Sequence, residues 1–443
     1  MPFFSTFTGS LSPLGTNTVI ENSGGGGGAG GLNGDGDDSP EVTWGNTLNV
    51  LYTFDSPIGR GANNFFGLRL AVDGTNAIIG AETATVNGET YSGFVAVYDL
   101  TDGSRRSVID NPNAFGDGGG DRFGQAVDIS GDYFIVGTRS EEDAGGNFSG
   151  KAWIYRVSDG SLVHTLDNPN LYGTSASDLF GIDVAIHNNY AVVGASGEED
   201  PDDGVTTNSG AVHVYNVITG EKRFSITNPN PSGAVRDRFG RSVDINESYL
   251  VVGADNAPDQ PDDVGQIFVY DLSGTLLRTI DNPLTGIRFG GTQSISISGD
   301  KMLVGAPYTD TDGIYRAGAA HIFDLTDGSL LRTIKRPSGN VEESFFGEYV
   351  DLHGNYAVIG SNAGAFGIQQ LGVTDNFSIY DIRDGSVVGT ITDTDTDGDG
   401  DGVFGLAVAI DGEYIVTANY SFDHATDSDI GGGRAYVYKG TRQ

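Results

Sequence analysis

The chain has 443 residues and no cysteine, which excludes a disulfide framework and a thiolate site. Its formal net charge of −36 comes from 60 acidic side chains against 24 lysines and arginines. Nucleic acid and anionic membranes are bound through basic surfaces, so this balance argues against both partners and favours cations. No apolar run of about 18 residues occurs, and membrane insertion is therefore not expected.

The N-terminal 45 residues lie outside the repeats that fill the rest of the chain. Residues 1–23 lack the basic segment and continuous apolar core of a Sec signal peptide. Two interpretations of this segment compete: a docking arm, in which residues 1–22 bind a protein partner in a larger assembly, and a disordered tail. The docking arm is favoured by the apolar side chains of Phe3, Phe4, Phe7, Leu11, Leu14 and Ile20. Residues 24–45, rich in Gly and Asp, are interpreted as a linker.

A repeated motif dominates the remaining residues. Near copies of FGQAVDISGDYFIVGT, residues 123–138, recur seven times, and successive Phe-Gly pairs are 50 to 59 residues apart. In six copies a second glycine, or Ala418 in its place, lies 13 residues after the first, and the fifth copy has two extra residues. Such regular spacing indicates an internal structural repeat.

Each repeat contains four short apolar runs joined by turn residues such as the Asp-Gly at 102–103. Four alternating strands in seven copies predict an all-β fold, a seven-bladed β-propeller of four-stranded antiparallel blades over residues 46–443. Phe123 and its equivalent in each other repeat are expected to pack between neighbouring blades. Gly124 and Gly137 are expected to allow close backbone approach.

The two ends of the repeat region predict how the ring closes. The seventh repeat stops after its third strand, RAYVYKG at 434–440. The missing fourth strand is found before the first repeat, because LYTFDSP at 51–57 aligns with VHTLDNP at 163–169. We therefore expect residues 47–55 to complete the last blade.

These motifs resemble the FG-GAP repeat family, whose members include bacterial surface proteins, phage proteins and the integrin α-subunit propellers. The resemblance covers about residues 47–443 and implies a seven-bladed propeller used for adhesion or assembly, frequently with calcium. Integrin-type calcium loops lie between the first and second strands, where this chain has tight turns such as SGDY at 130–133. Those calcium sites are therefore not carried over.

Acidic residues collect in the second-to-third and fourth-to-first connections, which emerge on one face of an antiparallel blade. They include EED at 141–143, EEDPDD at 198–203 and TDTD at 309–312. This pattern predicts an acidic, outward face that binds a host-surface receptor or a glycan.

One acidic loop has the alternating carboxylates and glycines that wrap a hard cation with oxygen ligands. Its candidate Ca²⁺ ligands are Asp393, Asp395, Asp397, Asp399 and Asp401. The residue in the position of the usual bidentate Glu is Leu406, so a weak site is expected. Asp310 and Asp312 form a second, sparser candidate.

No catalytic constellation emerges from the motifs. The six histidines are scattered without zinc-site spacing, and neither a nucleophile elbow nor a phosphate loop occurs. His164 and His213 fall within strand patterns, where a satisfied sheet residue is the ordinary interpretation. A carboxylate pair for glycoside hydrolysis is not singled out among so many acids.

Three functions remain in competition. The first is a non-enzymatic propeller on a bacteriophage virion, as a tail or capsid appendage for attachment or assembly. The second is a calcium-dependent bacterial cell-surface or matrix adhesin, exported without a Sec signal. The third is a polysaccharide-cleaving enzyme. The absence of a Sec signal favours the virion over the adhesin, and the absence of a catalytic motif places the enzyme last.

Overall fold

The computed structural model describes residues 42–44, 48–57, 64–112, 120–142, 148–171, 177–199, 209–230, 237–255, 265–284, 288–291, 293–336, 342–361, 376–392, 404–419 and 432–442. The chain divides into two compact units, Met1–Gly34 and Asp35–Gln443, and the described residues all belong to the second. The predicted arm at 1–23 and the predicted calcium ligands at 393–401 lie outside the described residues.

The described residues form thirty strands, numbered in chain order. They are β1 Val42–Thr43 and β2 Val50–Asp55; β3 Arg69–Asp73, β4 Asn76–Ala81, β5 Phe94–Asp99 and β6 Arg105–Asp110; β7 Ala126–Ser130, β8 Tyr133–Thr138, β9 Lys151–Arg156 and β10 Leu162–Asp167; β11 Phe180–His187, β12 Tyr190–Ala195, β13 Ala211–Asn216 and β14 Lys222–Thr227; β15 Phe239–Ile245, β16 Tyr249–Ala254, β17 Gln266–Asp271 and β18 Leu276–Asp281; β19 Ile295–Ser298, β20 Lys301–Ala306, β21 Ala319–Asp324 and β22 Leu330–Lys335; β23 Val350–His353, β24 Tyr356–Ile359, β25 Asn376–Asp381 and β26 Val387–Thr392; β27 Phe404–Asp411, β28 Tyr414–Asn419, β29 Arg434–Lys439 and β30 Thr441–Arg442.

The strands build seven four-stranded antiparallel sheets, which are the blades of a β-propeller. Blades 1 to 6 take their strands consecutively, from β3–β6 to β23–β26, and the first strands of neighbouring blades contact one another around the axis. Nothing in the described ranges is helical, and no segment there forms a helix that would cross a membrane. The predicted all-β, seven-bladed fold is confirmed.

Blade 7 is closed by a strand from the other end of the chain, as predicted. β2 pairs with β29 in the order β2-β29-β28-β27, with Phe54 opposite Ala435. A second pair lies outside the blades, because β1 is hydrogen-bonded to β30, with Val42 opposite Arg442. The β1 residues fall within the segment that the composition indicated as linker, and a two-residue strand carries no periodicity that reveals it in the sequence.

The repeated Phe-Gly pair packs between blades. Phe123 is fully buried in a cluster that joins Val95 and Val97 of blade 1 to Trp153 of its own blade. Its ring centroid lies 5.2 Å from that of Trp153 in an edge-on arrangement. Because the apolar clusters lie between neighbouring blades, each blade depends on the next for its core.

Two glycines recur in each of the first six repeats, and Ala418 replaces the second in the seventh; in blade 2 they bring the backbones of neighbouring blades together. Gly124 has a φ of +89°, and a Cβ there would lie 2.8 Å from the carbonyl oxygen of Phe94 in blade 1. A Cβ on Gly137 would lie 2.6 Å from the carbonyl oxygen of Gly181 in blade 3. Any side chain at either position would push the blades apart, which explains the recurrence of the motif.

Candidate ligand-binding site at the propeller axis

The strand bounds define two faces of the propeller. The first-to-second and third-to-fourth connections are short, such as 131–132 and 157–161 in blade 2, and they form what we call the turn face. The longer second-to-third and fourth-to-first connections, such as 139–150 and 168–179, form the loop face. Each end of the axis contains a cavity, one of about 300 Å³ toward the turn face and one of about 210 Å³ toward the loop face.

A ring of hydrogen bonds joins all seven blades at the larger cavity. Each first strand supplies one side-chain oxygen, which accepts a backbone N–H from the first strand of the next blade or from the turn after that strand, and blade 7 accepts from blade 1. We call this set the axial ring; its bonds are Gly131 N to Asp73 Oδ2 (2.7 Å), Ile186 N to Asp128 Oδ2 (2.7 Å), Val243 N to Asp183 Oδ2 (3.0 Å), Ile297 N to Asp244 Oδ2 (2.7 Å), Leu352 N to Ser296 Oγ (3.1 Å), Ile410 N to Asp351 Oδ2 (2.7 Å) and Gly74 N to Asp411 Oδ2 (2.6 Å).

Burial perturbs the carboxyl groups of the axial ring. It raises the pKa of Asp128 to about 8 and that of Asp183 to about 6, and it raises the pKa of Asp244 well above its usual value. The backbone N–H groups that these carboxyls accept oppose the rise, since they stabilise the ionised form. Because these carboxyls bond the blades together, we assign the ring to ring closure rather than to ligand chemistry.

The smaller cavity, at the loop face, is lined by five arginines and three carboxylates. We call it the arginine pocket; its charged residues are Arg69, Arg122, Arg139, Arg241, Arg288, Glu82, Asp255 and Glu348. The lining therefore carries an excess of two positive charges in a chain whose net charge is −36. A basic cavity at the centre of this face was not predicted from the sequence.

The pocket residues come from equivalent places in several blades. Arg122 and Arg288 each precede a Phe-Gly pair, and both have left-handed backbone, with φ values of +59° and +61°. The same conformation occurs before the Phe-Gly pairs of other blades, at Phe65, Leu179 and Phe345, so it belongs to the repeat. The conformation carries arginine in blades 2, 4 and 5 and an apolar residue in blades 1, 3 and 6.

Most of the arginines already have partners within the protein. Arg69 donates to the carbonyl oxygen of Gln125 at 2.6 Å and to the hydroxyl of Tyr349 at 2.8 Å. Arg288 donates to the hydroxyl of Tyr308 at 2.9 Å. These contacts fix both guanidinium groups in place.

The carboxylates take up part of the remaining positive charge. Asp255, 2% exposed, lies 3.2 Å from Nε of Arg238 and 3.9 Å from Nε of Arg241. Glu82 lies 3.9 Å from Arg122. Both Arg241 and Asp255 are thus engaged by ion pairing, but the Nε of Arg241 makes no hydrogen bond with the residues described.

Arg139, which follows β8, differs from its neighbours. Its backbone N–H donates to Gln125, but its guanidinium has neither a hydrogen bond nor an ion pair within the described part of the chain. Burial and, next, the charge of Arg241 lower its pKa to about 10. The charges of Arg122 and Arg69 also act to lower the pKa of Arg139, and Glu82 alone among these neighbours acts to raise it. This side chain therefore sits half-buried in net positive surroundings.

Two residues of the acidic loops are buried. Glu141 and Glu198, which begin two of the acidic stretches, are 0% and 2% exposed. Glu198 accepts the backbone N–H of Leu171 at 3.0 Å, and Glu141 lies 3.4 Å from the side-chain amide of Asn111. These bonds join neighbouring connections of the loop face to one another, because a buried carboxylate requires hydrogen-bond donors.

The sparser metal candidate is bound to internal donors. Asp312 lies 2.7 Å from Nζ of Lys335, and Asp310 accepts the backbone N–H of Arg316 at 2.8 Å. Within the described ranges, no group of three or more His, Asp or Glu side chains is arranged to hold a metal ion. The stronger candidate, at 393–401, falls outside those ranges and stays a prediction.

The histidines are spread through the blades. His213 is fully buried in β13 and lies 2.8 Å from Oγ of Ser225, with burial lowering its pKa. His321 lies 3.0 Å from Oγ1 of Thr333, and burial lowers its pKa to about 4. His164 lies 3.0 Å from the carbonyl oxygen of Ile218. The contact of His164 agrees with the ordinary interpretation as a satisfied residue of the sheet, whereas the buried Nε2 of His213 makes no hydrogen bond to described residues and lies 3.7 Å from a carboxylate oxygen of Glu198.

Signals for both axial features are present in the sequence. Arg-Phe-Gly occurs in three of the seven repeats, at 122–124, 238–240 and 288–290, and two of its arginines, Arg122 and Arg288, line the arginine pocket. Val-Asp recurs five residues after the phenylalanine, as in FGQAVD, FGRSVD and FGEYVD, and supplies Asp128, Asp244 and Asp351 of the axial ring. Comparing what the repeats share reveals the axial ring, whereas Arg-Phe-Gly accounts for only two of the five pocket arginines.

The geometry defines a closed seven-bladed β-propeller with a loop face and a turn face. A family model described as FG-GAP repeat matches residues 116–155, 173–215, 231–270 and 284–323. Each match covers the Phe-Gly pair and the first three strands of one blade, from blade 2 to blade 5. Four of the seven blades therefore match the FG-GAP repeat, and propellers of this kind typically serve as binding or structural domains. A comparison with curated proteins found no match.

Proposed function

We propose that this FG-GAP propeller is a non-enzymatic binding protein displayed on a bacteriophage virion, as a tail or capsid appendage that serves attachment or assembly. The observation that carries the proposal is that the propeller is a closed ring whose long connections all lie on one of its two faces. The axial ring and β2 join the seven blades into one ring, and the long connections lie on one face. A rigid ring with variable loops on one side suits presentation of a binding surface.

The proposed attachment is through the N-terminal arm. Residues 1–22 contain large apolar side chains, and a glycine-rich segment follows them. An apolar arm on a tether gains order when it binds a partner, and the propeller then remains free to face outward. The loop face would contact a host-surface receptor or glycan.

The alternative proposal is a calcium-dependent bacterial cell-surface or matrix adhesin. It is favoured by the alternating carboxylates at 393–401, which are suited to a weak extracellular calcium site. On either proposal the protein acts by binding and not by catalysis.

Fractionation of the source culture distinguishes the virion proposal from the adhesin proposal. Particles purified from lysates by density gradient should contain the protein, and a chain lacking residues 1–22 should be missing from particles although its purified form unfolds like the full chain. Recovery in the cell-surface or matrix fraction, released by a calcium chelator, would instead support the adhesin. Recovery in neither fraction would contradict both.

A further inference from the structure

We propose that the arginine pocket binds an oxyanion, namely a single carboxylate, sulfate or phosphate group at the end of a ligand that approaches the loop face. This inference adds a ligand chemistry to the proposed binding role. It does not depend on which assembly carries the protein, because it concerns the purified chain alone.

The first argument is the unmatched charge. Asp255 is engaged by Arg238 and Arg241, and Glu82 is 3.9 Å from Arg122, whereas the guanidinium of Arg139 has no counterpart in the described part of the chain. Holding an unpaired cation half-buried beside other cations destabilises the empty protein. A bound anion would remove that repulsion.

The second argument is the donor set. Arginine presents planar N–H pairs that match the oxygens of carboxylate, sulfate and phosphate. Arg69 and Arg288 are fixed by their bonds to Tyr349 and Tyr308, so the pocket keeps its shape without a ligand. The Nε atoms of Arg241 and Arg288 are buried and make no hydrogen bond to described residues. Arg288 is thus both fixed and left with a donor that has no acceptor, as a preorganised site requires.

The third argument is size and surrounding charge. The pocket, at about 210 Å³, is smaller than the roughly 300–1,000 Å³ that drug-sized ligands occupy, so it suits one terminal group. The chain as a whole carries −36, which repels an extended polyanion. The expected ligand therefore carries one oxyanion at its end, and it is not a long anionic polymer.

The test is titration calorimetry of the full chain at low salt, with sodium sulfate, inorganic phosphate and glucuronate as probes and glucose as the neutral control. The sulfate and phosphate arms distinguish ester-type anions from the carboxylate of glucuronate. Saturable binding of at least one anion, without binding of glucose, is expected. If none of the three anions binds, or if glucose binds equally well, the proposal is wrong.

Arg139→Gln localises the site, with Arg139→Lys as the conservative variant and the exposed Arg223→Gln as the matched control. Hydrogen bonds to charged groups imply that Arg139→Gln loses about tenfold to hundredfold in affinity. Arg139→Lys should lose less, and Arg223→Gln should bind like the parent chain. Equal losses in Arg223→Gln and Arg139→Gln would show diffuse attraction and overturn the proposal.

The unliganded variants provide an independent readout. Because Arg139 is repelled by Arg69, Arg122 and Arg241, Arg139→Gln should raise the unfolding midpoint of the empty protein. An arginine with a purely structural role would give the opposite result. A lower midpoint together with unchanged anion affinity would therefore refute the assignment.

Discussion

Phe54, on the strand that closes blade 7, provides a sharp test of ring closure. Its side chain is 7% exposed, and its ring stacks on Tyr98 of blade 1, with centroids 4.0 Å apart and planes inclined by 13°. Phe54 thus connects blade 7, through β2, to blade 1. The proposed perturbation is Phe54→Ala.

The expected loss follows from this burial. Removing a buried phenylalanine costs about 3–5 kcal/mol in transfer free energy and cavity formation. For a cooperative unit of about 400 residues, the entropy of unfolding is roughly 0.8 kcal/mol per kelvin, so the melting temperature should fall by about 4–6 °C. Thermal unfolding by calorimetry measures this shift directly.

Leu51→Ala is the matched control, because Leu51 lies on the same strand but is 41% exposed. A surface change of this kind alters stability by about 0.5 kcal/mol or less. A chain that lacks residues 1–57 should lose cooperative unfolding, since β29 would become an exposed edge, whereas one that lacks 1–40 keeps β1 and β2 and should melt like the parent. Indistinguishable melting of Phe54→Ala and Leu51→Ala, or of the two truncations, would refute the closure argument.

Three further predictions concern the axial ring, the calcium loop and the arm. Because burial raises the pKa of Asp128 to about 8, its contribution to stability is complete below its unfolded pKa, near 3.8, and is lost as pH rises toward 8. Asp128→Asn should therefore flatten the pH dependence of urea unfolding, and an unchanged slope would contradict the raised pKa of Asp128. Calcium at about ten times a dissociation constant on the order of 0.1–1 mM should stabilise the chain by roughly 1.4 kcal/mol, and Asp395→Asn with Asp397→Asn should abolish the effect; equal responses would point to diffuse screening. Hydrogen exchange should show residues 1–22 protected in the native assembly and unprotected in the isolated protein, and lack of protection in both states would dismiss docking.

The blade count and the closing strand were accessible from the sequence because both depend on local patterns. These patterns are the Phe-Gly spacing, the alternating apolar residues and the turn glycines. They depend only on one blade and its neighbour, and they recur in all seven repeats. The likeness of residues 51–57 to 163–169 is enough to assign β2 to blade 7. The pairing of β1 with β30 had no such signal, since two residues cannot show a period.

The functional centre of the loop face was decided by tertiary structure. Arg69, Arg139 and Arg241 occupy unequal positions in their repeats and lie far apart along the chain, so no local pattern brings them together. They converge because a closed ring brings the starts of the first strands and the residues that follow the second strands to the same end of the axis, where side chains from several blades meet. Burial likewise depends on that convergence: Glu198 reads as one of a run of solvated acids, yet the fold places it among hydrogen-bond donors away from water. Charge balance at an axis is a property of the assembled ring, and a linear sequence does not contain it.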